Sequence, residues 1–426
     1  MPTTITPEDV PSLLQPGFRV FVGGGACEPK ALLQALSDNP DGGAGITFIQ
    51  SIVPGLTRTD FSGFHADARI TTFFMTPETQ AAYDAGKVDF VPMQIRAISD
   101  YLVETPMDVA LIAVAPTEDP EVFSPGMNAD YTDAVLANAN CIIAEVNTSM
   151  PATADAPAIP ASRLDYVVPT RYALEPYPLV EPNEDAIAIG RNVATLINDG
   201  DCVQNGIGAI PYAVVAQLTE KNDLGLHSGI IDDATQMLVE RGVMTGKRKN
   251  RDTGKHIAAS ALGTQAFYEW VASHPDVALR PYRYTHGADV LSSLDNLVSI
   301  NSAMEIDFLG QVNSEMIGGR QITGTGGSVD FMRGASASKG GRSIIAMTAT
   351  AARGKVSRII PSLVTGNAAT ALRTDIDYVV TEYGIARLRY LPQHERAKAL
   401  IEIAAPQFRD ELTEQARGLF GPLIGS

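Results

Sequence analysis

The sequence has few cysteines and no cysteine motif. Its three cysteines, Cys27, Cys141 and Cys202, lie far apart and form no CxxC pair. An odd number of widely spaced cysteines argues against a disulfide framework. Each cysteine lies in an apolar, strand-like segment, so we expect buried free thiols. The six histidines show neither HExxH nor a paired metal spacing, so the sequence implies no metal site.

Basic charge and long apolar runs are also scarce. The chain carries 32 Lys and Arg against 49 Asp and Glu, a formal net charge of −17, and its most basic segment, 247–251, is short. Such an acidic chain is not expected to bind nucleic acid. No apolar run reaches the roughly 18 to 20 residues that span a bilayer, and the first residues lack the pattern of a signal peptide. We therefore expect a cytoplasmic protein with no membrane partner.

Short apolar runs alternate with segments of helical periodicity. "DVALIAVAP" (108–116), "ANCIIAEVN" (139–147) and "IDYVVTEYG" (376–384) are predicted strands, nearly continuous in apolar residues and therefore covered on both faces. "EDAIAIGRNVATLIND" (184–199) is a predicted amphipathic helix. The chain of 426 residues is long enough for more than one core. The alternation predicts an α/β fold with much parallel sheet.

An internal repeat indicates two related domains. "FVGGGACEPKALLQAL" (21–36) is similar to "VQNGIGAIPYAVVAQL" (203–218), allowing a gap of one residue. Both segments predict a strand, a Gly-x-Gly turn, a proline and an amphipathic helix, and proline suits the first helical turn. The Pro- and Glu-rich segment 170–185 is a predicted linker. We predict two open α/β domains, 1–183 (including the linker from about 170) and 184–426.

Three glycine clusters stand out at predicted strand-to-helix junctions. They are Gly23-Gly24-Gly25, the "NGIG" of 205–208 and "GTGGSVDF" (324–331). The GxGxxG and GxxxxGK[ST] spacings of nucleotide-binding loops are absent. Backbone N–H groups at a helix N-terminus still favour anions. A single loop of this kind is more often a tight turn, but three in one α/β chain favour a phosphate- or oxyanion-binding site.

Several longer segments occur in an order that resembles one protein family. They include "VFVGGGACEPKALL", "IIAEVNTSMP", "NGIGAIPYAV", "INSAMEIDFLGQVNSEMIGG", "GTGGSVDFMRGA" and "YVVTEYGIARLR". From about residue 18 to residue 410 the chain resembles the acetyl-CoA hydrolase/CoA-transferase family, which includes 4-hydroxybutyrate and acetate CoA-transferases. The resemblance implies two related open α/β domains with the active site between them, and a homo-oligomer, typically a dimer. It also implies coenzyme A as a substrate rather than a tightly bound cofactor, with an acyl-CoA and a small carboxylate as ligands.

The resemblance also implies a covalent mechanism. In the family a glutamate carboxylate attacks the acyl-CoA carbonyl, and CoA returns to give an enzyme thioester that passes CoA to an incoming carboxylate. Such chemistry needs a carboxylate nucleophile and N–H donors for the developing oxyanion. By resemblance, Ile207 and Gly208 of one loop and Gly326 and Gly327 of another are the oxyanion or CoA-binding positions. Glu382 in "VTEYG" matches an active-site glutamate of the family.

The sequence departs from the family at three places. In "LGLHSGIIDD" the family has His-Ser-Glu or His-Thr-Glu, and that glutamate is the nucleophile, whereas this chain has Gly229. In "YTHGADV" an asparagine is common where this chain has His286. In "IARLRY" the family pattern is "ADLRG", so Arg387 and Tyr390 are unusual. Glycine has no side chain and cannot form the anhydride.

Three interpretations follow from Gly229. Another carboxylate can replace the glutamate, with Asp233 and Glu305 as fallback candidates. Alternatively, water is activated by His286 or Glu382 as general base, which gives an acyl-CoA hydrolase or a ring-opening lyase. The third interpretation is a non-catalytic acyl-CoA binder.

Structural alternatives stand beside each functional candidate. Asp232 and Asp233 also suit a helix N-terminus, where acidic side chains are favoured. Glu305 also suits a buried ion pair, and His286 a loop position in solvent. His227 and Ser228 are a poor catalytic pair because successive side chains of a strand point to opposite faces.

Overall fold

The computed structural model describes residues 1–178 and 180–424. The described residues form two compact units that are not continuous in sequence. The first comprises Met1–Pro178, Ile230–Asp233 and Ile257–Thr285, and the second comprises the described parts of Leu179–Gly229, Ala234–His256 and His286–Ser426. The domain boundary near residue 183 stays a prediction.

A large, mainly parallel sheet forms the centre of the first unit. Its principal strands, in spatial order, are Thr3–Thr4, Tyr166–Thr170, Ala139–Asn147, Met107–Pro116, Arg19–Val22, Thr47–Gln50, Arg69–Thr72 and Val88–Phe90. All neighbours along this path are parallel. The short strands Val122–Ser124 and Ile159–Pro160 extend it in antiparallel pairing. The α/β class and the parallel sheet are therefore confirmed.

Both faces of this sheet are buried, as the continuous apolar runs predict. Val20 and Leu111 belong to one apolar cluster, and Phe21 and Ala110 belong to another. Successive residues of a strand point to opposite faces, so each strand supplies both clusters. The first unit also contains the α-helices Lys30–Asp38, Gln80–Asp84, Ile95–Glu104, Thr132–Asn138, Gln265–Ser273 and Tyr282–Thr285, the 3-10 helices Pro7–Leu13, Gly25–Cys27, Phe61–Gly63 and Ala161–Arg163, and the paired strands Ile230–Asp232 and Ser260–Leu262.

The sheet of the second unit is smaller. Its strands, in spatial order, are Gly225–Leu226, Cys202–Gln204, Leu297–Asn301, Arg342–Ala346, Tyr378–Thr381 and Gly384–Arg387. The first five are mutually parallel and the last is antiparallel. The helices of this unit are Glu184–Ala194, Ala209–Ala216, Ala288–Ser293, Ser328–Ala337, Gln393–Glu402, Pro406–Phe420 and the 3-10 helix Gly421–Ile424.

Several shorter elements complete the described chain. The helix Asp233–Glu240 follows the strand Ile230–Asp232. The remaining strands are His256–Ala258, Val277–Leu279, Glu305–Asp307, Val312–Asn313, Met316–Ile317, Arg320–Gln321, Thr350–Ala351, Val356–Ser357 and Ile359–Ile360. None of the helices in residues 1–178 and 180–424 combines the length and apolar content needed to span a bilayer.

The internal repeat takes the predicted form with one difference. In each copy a strand leads through a glycine turn into a helix, Lys30–Asp38 after Pro29 and Ala209–Ala216 after Gly208. The first helix is amphipathic, but the second buries successive residues along Ala213–Val215. The expectation of an amphipathic second helix is therefore wrong. That helix packs closely on its neighbour, since a Cβ atom at Gly190 would lie 2.7 Å from the carbonyl oxygen of Ala213.

All three cysteines are free thiols. Cys27 and Cys202 are buried, as expected, and burial raises the pKa of the Cys27 thiol to about 12. Cys141 is only half-buried, so the expectation of burial is wrong at this position. Thiols with raised pKa values are poor nucleophiles at neutral pH.

Candidate active site

The predicted functional residues of the second unit follow the carboxyl ends of parallel strands. Gly229 comes after the strand Gly225–Leu226, Ile207 and Gly208 come after Cys202–Gln204, and Glu382 directly follows Tyr378–Thr381. These strands belong to one sheet and run in the same direction. The carboxyl ends of parallel strands meet at one edge, where α/β proteins bind their ligands. The topology therefore places these candidates along a common edge of the sheet.

Two glycine loops of the second unit lead directly into helices. Gly208 is the N-cap of Ala209–Ala216 and has a φ of 108°, which is unfavourable for residues with a side chain. Gly327 is the N-cap of Ser328–Ala337, and the preceding Gly326 has a φ of 65°. The first N–H groups of a helix have no partner within the helix and favour negative charge. Both loops thus have the backbone geometry of an oxyanion or phosphate site, although their roles stay predictions.

Gly229 lies directly beside His286. A Cβ atom built on Gly229 would lie 3.0 Å from Cε1 of His286 and 3.3 Å from Nε2. Carbon atoms normally approach to about 3.5–4.0 Å, so even alanine at this position would press on the imidazole. The φ of Gly229 is not positive, so the constraint comes from space and not from the backbone. Two positions that the sequence analysis singled out separately are therefore neighbours.

His286 is buried against an aromatic ring. Its side chain is 2% exposed, so the alternative of a solvated loop histidine is wrong. The imidazole makes an edge contact with Phe331, with ring centroids 4.6 Å apart. Burial lowers the pKa of His286 to about 3, because the imidazolium loses its hydration. The ring is therefore neutral at physiological pH.

Phe331 connects His286 with the glycine loop at Gly327. It lies near the start of the helix Ser328–Ala337, and its N–H donates to the Gly327 carbonyl oxygen at 3.1 Å. Phe331 is not among the residues predicted from the sequence. The sequence signal that could have found it is its position four residues after Gly327. That spacing places its side chain on the same helix face as Gly327, near the start of the helix.

Ser228 and His227 are both fully buried. The Ser228 hydroxyl donates to the carbonyl oxygen of Asn205 at 3.0 Å. The N–H of His227 donates to the carbonyl oxygen of Val203 at 3.2 Å. These bonds hold the segment before Gly229 against the glycine loop at Asn205, so Ser228 has a clear structural function.

Glu382 is held by the backbone of the segment that follows the neighbouring strand Arg342–Ala346. The N–H of Ala349 donates to both carboxylate oxygens, at 2.9 and 3.2 Å. Burial lowers the pKa of the nearby Arg358 guanidinium, and the negative charge of Glu382 opposes that change. Glu382 thus fixes the chain after Arg342–Ala346 and supplies charge at the sheet edge. Its catalytic role stays a prediction.

The two fallback carboxylates are both engaged. Asp233 begins the helix Asp233–Glu240 and accepts from the hydroxyl and the N–H of Thr264 at 2.7 and 3.1 Å. Glu305 accepts from the side-chain amides of Asn313 and Asn367 at 3.0 and 2.6 Å. Each must break hydrogen bonds before its bonded oxygen can act as a nucleophile. Their use in catalysis stays a prediction.

Residues 1–178 and 180–424 contain no cluster of three or more His, Cys, Asp or Glu side chains placed to share a metal ion. The backbone N–H groups where the glycine loops enter their helices suit a phosphate-bearing molecule. Coenzyme A carries phosphates and, when acylated, a thioester, and its binding at these loops stays a prediction.

Comparison with known proteins gives consistent matches along the chain. Residues 3–174 match the acetyl-CoA hydrolase/transferase N-terminal domain, and residues 263–416 match the C-terminal domain. The 4-hydroxybutyrate coenzyme A transferase of Clostridium kluyveri is 39% identical over 98% of this chain and 97% of its own. The succinyl-CoA:cyclohexane-1-carboxylate CoA transferase of Geobacter metallireducens is 37% identical over 82% of this chain and 80% of its own.

Solved structures agree with these matches. The crystal structure of RipA from Yersinia pestis has a TM-score of 0.90 and 35% identity, covering 98% of this chain and 97% of that chain. The 4-hydroxybutyrate CoA-transferase from Porphyromonas gingivalis has a TM-score of 0.82 and 31% identity, covering 98% of both chains. The chain therefore belongs to the acetyl-CoA hydrolase/transferase family, and it is an enzyme of that family.

Proposed function

We propose that the protein transfers CoA from an acyl-CoA to a small carboxylate without a covalent intermediate at position 229. The transferase activity is supported by relatives named for it, including 4-hydroxybutyrate and succinyl-CoA:cyclohexane-1-carboxylate CoA transferases. The departure in mechanism rests on one observation. Gly229, which we align with the family nucleophile, has no carboxylate, and His286 occupies the space that a side chain there would need.

The two glycine loops give the thioester carbonyl its electrostatic support. Attack on the carbonyl carbon places negative charge on its oxygen. The backbone N–H groups at Ile207–Gly208 and Gly326–Gly327 are positioned at helix starts, where they stabilise such charge without reorganising. Neutral His286 adds a polar group at the reacting end without a competing positive charge.

In the proposed route the acceptor itself supplies the missing carboxylate. One of its oxygens attacks the thioester carbon, the C–S bond breaks, and CoA leaves as the thiolate. The product is a mixed anhydride of the two acids. The thiolate then attacks the acceptor's carbonyl carbon, the C–O bond breaks, and the donor acid departs as a carboxylate. The two reaction steps balance in atoms and charge, and neither needs a proton transfer.

Hydrolysis is the second candidate, because water can attack the thioester carbonyl in place of the acceptor carboxylate. The acetyl-CoA hydrolase of Candida albicans is 30% identical over 55% of this chain and 43% of its own. His286 is a weak base, since its pKa is lowered to about 3. Glu382 accepts the N–H of Ala349 with both oxygens. Neither residue is arranged as a free general base, so transfer is the preferred proposal.

The test measures the acceptor's CoA thioester formed from an acyl-CoA and an added carboxylate, the free CoA released with and without that carboxylate, and the intact mass of the protein. The expected result is formation of the acceptor's thioester without net release of free CoA, with no mass adduct and with sequential rather than ping-pong kinetics. Release of free CoA in buffer alone would establish hydrolysis instead. A CoA adduct mapped to Asp233 or Glu305 would show that a fallback carboxylate replaces the glutamate. A thermal shift with acyl-CoA but no turnover would identify a non-catalytic binder.

We also propose that the enzyme is a cytoplasmic homo-oligomer, a dimer in the simplest case. The acidic sequence with three free cysteines and the resemblance to a family of homo-oligomers support this proposal. Light scattering on the purified full chain gives the mass directly, and the mass of a single chain would contradict it.

A further inference from the structure

A basic cavity lies in the second unit at the other edge of its sheet. The last strand, Gly384–Arg387, runs antiparallel, and its Arg387 pairs with Tyr378 at the start of the preceding strand. Residues that follow Arg387 therefore lie beyond the amino ends of the parallel strands. Glu382 and the glycine loop at Ile207–Gly208 follow the carboxyl ends. This cavity is distinct from the candidate active site.

The cavity has a volume of about 260 Å³. Its lining residues are Ser336, Thr374, Ile376, Asp377, Arg389, Tyr390 and Arg396. That volume suits a small molecule or the end of a larger one. The Ser336 hydroxyl oxygen is buried and has no hydrogen-bond partner among the described residues. A buried hydroxyl without a partner is unfavourable, so a bound polar group would satisfy it.

Positive charge at this cavity exceeds the negative charge beside it. Asp377 lines the cavity but is 3% exposed and is paired with Arg389 at 3.5 Å. Arg396 has no such carboxylate partner within the described chain. Its guanidinium donates to the carbonyl oxygens of Arg373 and Leu309 at 2.6 and 3.2 Å. Burial and the like charge of Arg373 lower the pKa of Arg396. A bound anion would relieve this repulsion.

Tyr390 presents an aromatic ring at the rim. It is 79% exposed and has a φ of 67°, the left-handed region that disfavours residues with a side chain. The resemblance places glycine at this position. The guanidinium of Arg389 lies 5.0 Å from the ring centroid, which holds the ring by a cation–π contact. An exposed aromatic side chain kept in an unfavourable backbone conformation points to a binding function.

We propose that this cavity binds a nucleoside phosphate, with the phosphate on Arg396 and Ser336 and the base stacked on Tyr390. The Nη1 and Nε groups of Arg396 already donate to main-chain carbonyl oxygens, which leaves Nη2 to donate a charge-assisted hydrogen bond to a phosphate oxygen. Aromatic side chains stack on nucleobases of any type. The source is either a free nucleotide or the adenosine end of a CoA molecule. The site does not depend on the transfer mechanism proposed above.

The test is calorimetric titration of the full chain with AMP, inorganic phosphate and acetate, each with and without saturating CoA. AMP is expected to bind roughly tenfold more tightly than phosphate, because stacking of one base contributes on that order. Acetate is expected to give no binding. AMP binding that survives saturating CoA assigns the site to a free nucleotide. AMP binding lost on adding CoA, with CoA affinity lowered by the Tyr390 variant, assigns it to the adenosine end of CoA.

Three variants separate binding from folding. Arg396→Met should weaken AMP and phosphate binding alike, by roughly tenfold or more, because a charged hydrogen-bond donor is lost. Tyr390→Gly should lower AMP affinity to that of phosphate without lowering the melting temperature, because glycine accepts the left-handed backbone. Arg387→Met is the matched control, since Arg387 is an exposed neighbour that does not line the cavity, and it should bind AMP as the unmodified protein does.

Two results would overturn the proposal. The first is that titration of AMP into the unmodified protein gives no more heat than titration of acetate. The other is equal AMP affinity in Tyr390→Gly, Arg387→Met and the unmodified protein, since stacking on the Tyr390 ring would then contribute nothing.

Discussion

Introducing a carboxylate at position 229 tests the close packing of His286 against Gly229. In Gly229→Glu the new Cβ atom would lie 3.0 Å from Cε1 of His286, which is 2% exposed and packed on Phe331. The imidazole has little room to retreat. Overpacking of this kind costs about 1–3 kcal/mol, which lowers the melting temperature of a unit of this size by roughly 2–12 °C. Gly229→Ala should show the lower part of that range.

The double variant Gly229→Glu with His286→Asn removes the obstruction. Asparagine is smaller than histidine and is the residue that the resemblance places there. We expect this variant to recover most of the lost stability. It should also form a CoA thioester on the introduced carboxylate, at position 229, whereas the unmodified protein should form none. Gly229→Gln with His286→Asn is the matched control, because glutamine has the same size but no carboxylate to attack the thioester.

The assays are scanning calorimetry for stability and intact-mass analysis after incubation with an acyl-CoA. If Gly229→Ala melts at the temperature of the unmodified protein, the close approach of His286 to position 229 is refuted. If the unmodified protein itself accumulates a CoA thioester, the proposed non-covalent route is refuted. An adduct in the glutamine control would show that a carboxylate acts at another position.

Three further predictions concern ionisation and anchoring. Burial raises the pKa of Asp130 to about 7 from 3.8, so the folded protein binds this proton more tightly than the unfolded chain does. The free energy of unfolding should therefore fall as pH rises from about 4 to 7, by up to roughly 4 kcal/mol, and denaturant titrations of Asp130→Asn should lack this slope. The pKa of His286 is lowered from 6.5 to about 3, so the free energy of unfolding should fall as pH decreases through that window, and His286→Asn should remove this acid sensitivity. Glu382→Ala should cost about 1–3 kcal/mol because it leaves the Ala349 N–H unpaired, whereas Glu382→Gln retains an acceptor and should melt closer to the unmodified protein.

Much of the fold could be predicted because its signals are local. Continuous apolar runs such as 108–116 and 139–147 predict strands buried on both faces, and the strands Met107–Pro116 and Ala139–Asn147 are parallel neighbours. The glycine turns before Lys30–Asp38 and Ala209–Ala216 follow from the repeated motif. The amphipathic pattern failed at Ala209–Ala216 because the burial of a helix depends on what packs around it.

The sequence predicted individual residues of the candidate site but not the contacts that these residues make. Glu382 follows a buried strand, so its place at the carboxyl edge could be inferred. Its hydrogen bonds to Ala349 could not, because they join two strand connections that are separate in sequence. The carboxylate of Asp233 was open to either a structural or a catalytic interpretation, and its bonds to Thr264 show its structural use.

The sequence by itself determined the α/β class, the strand-to-helix glycine turns, the family and the absence of a side chain at Gly229. These properties depend on residue type and on spacing along the chain. Only the tertiary structure placed His286 against Gly229 and lowered the pKa of its imidazole by burial. Only the backbone showed Tyr390 in the left-handed region. Contact, burial and φ arise from the packing of segments that are distant in sequence, so no local pattern could have supplied them.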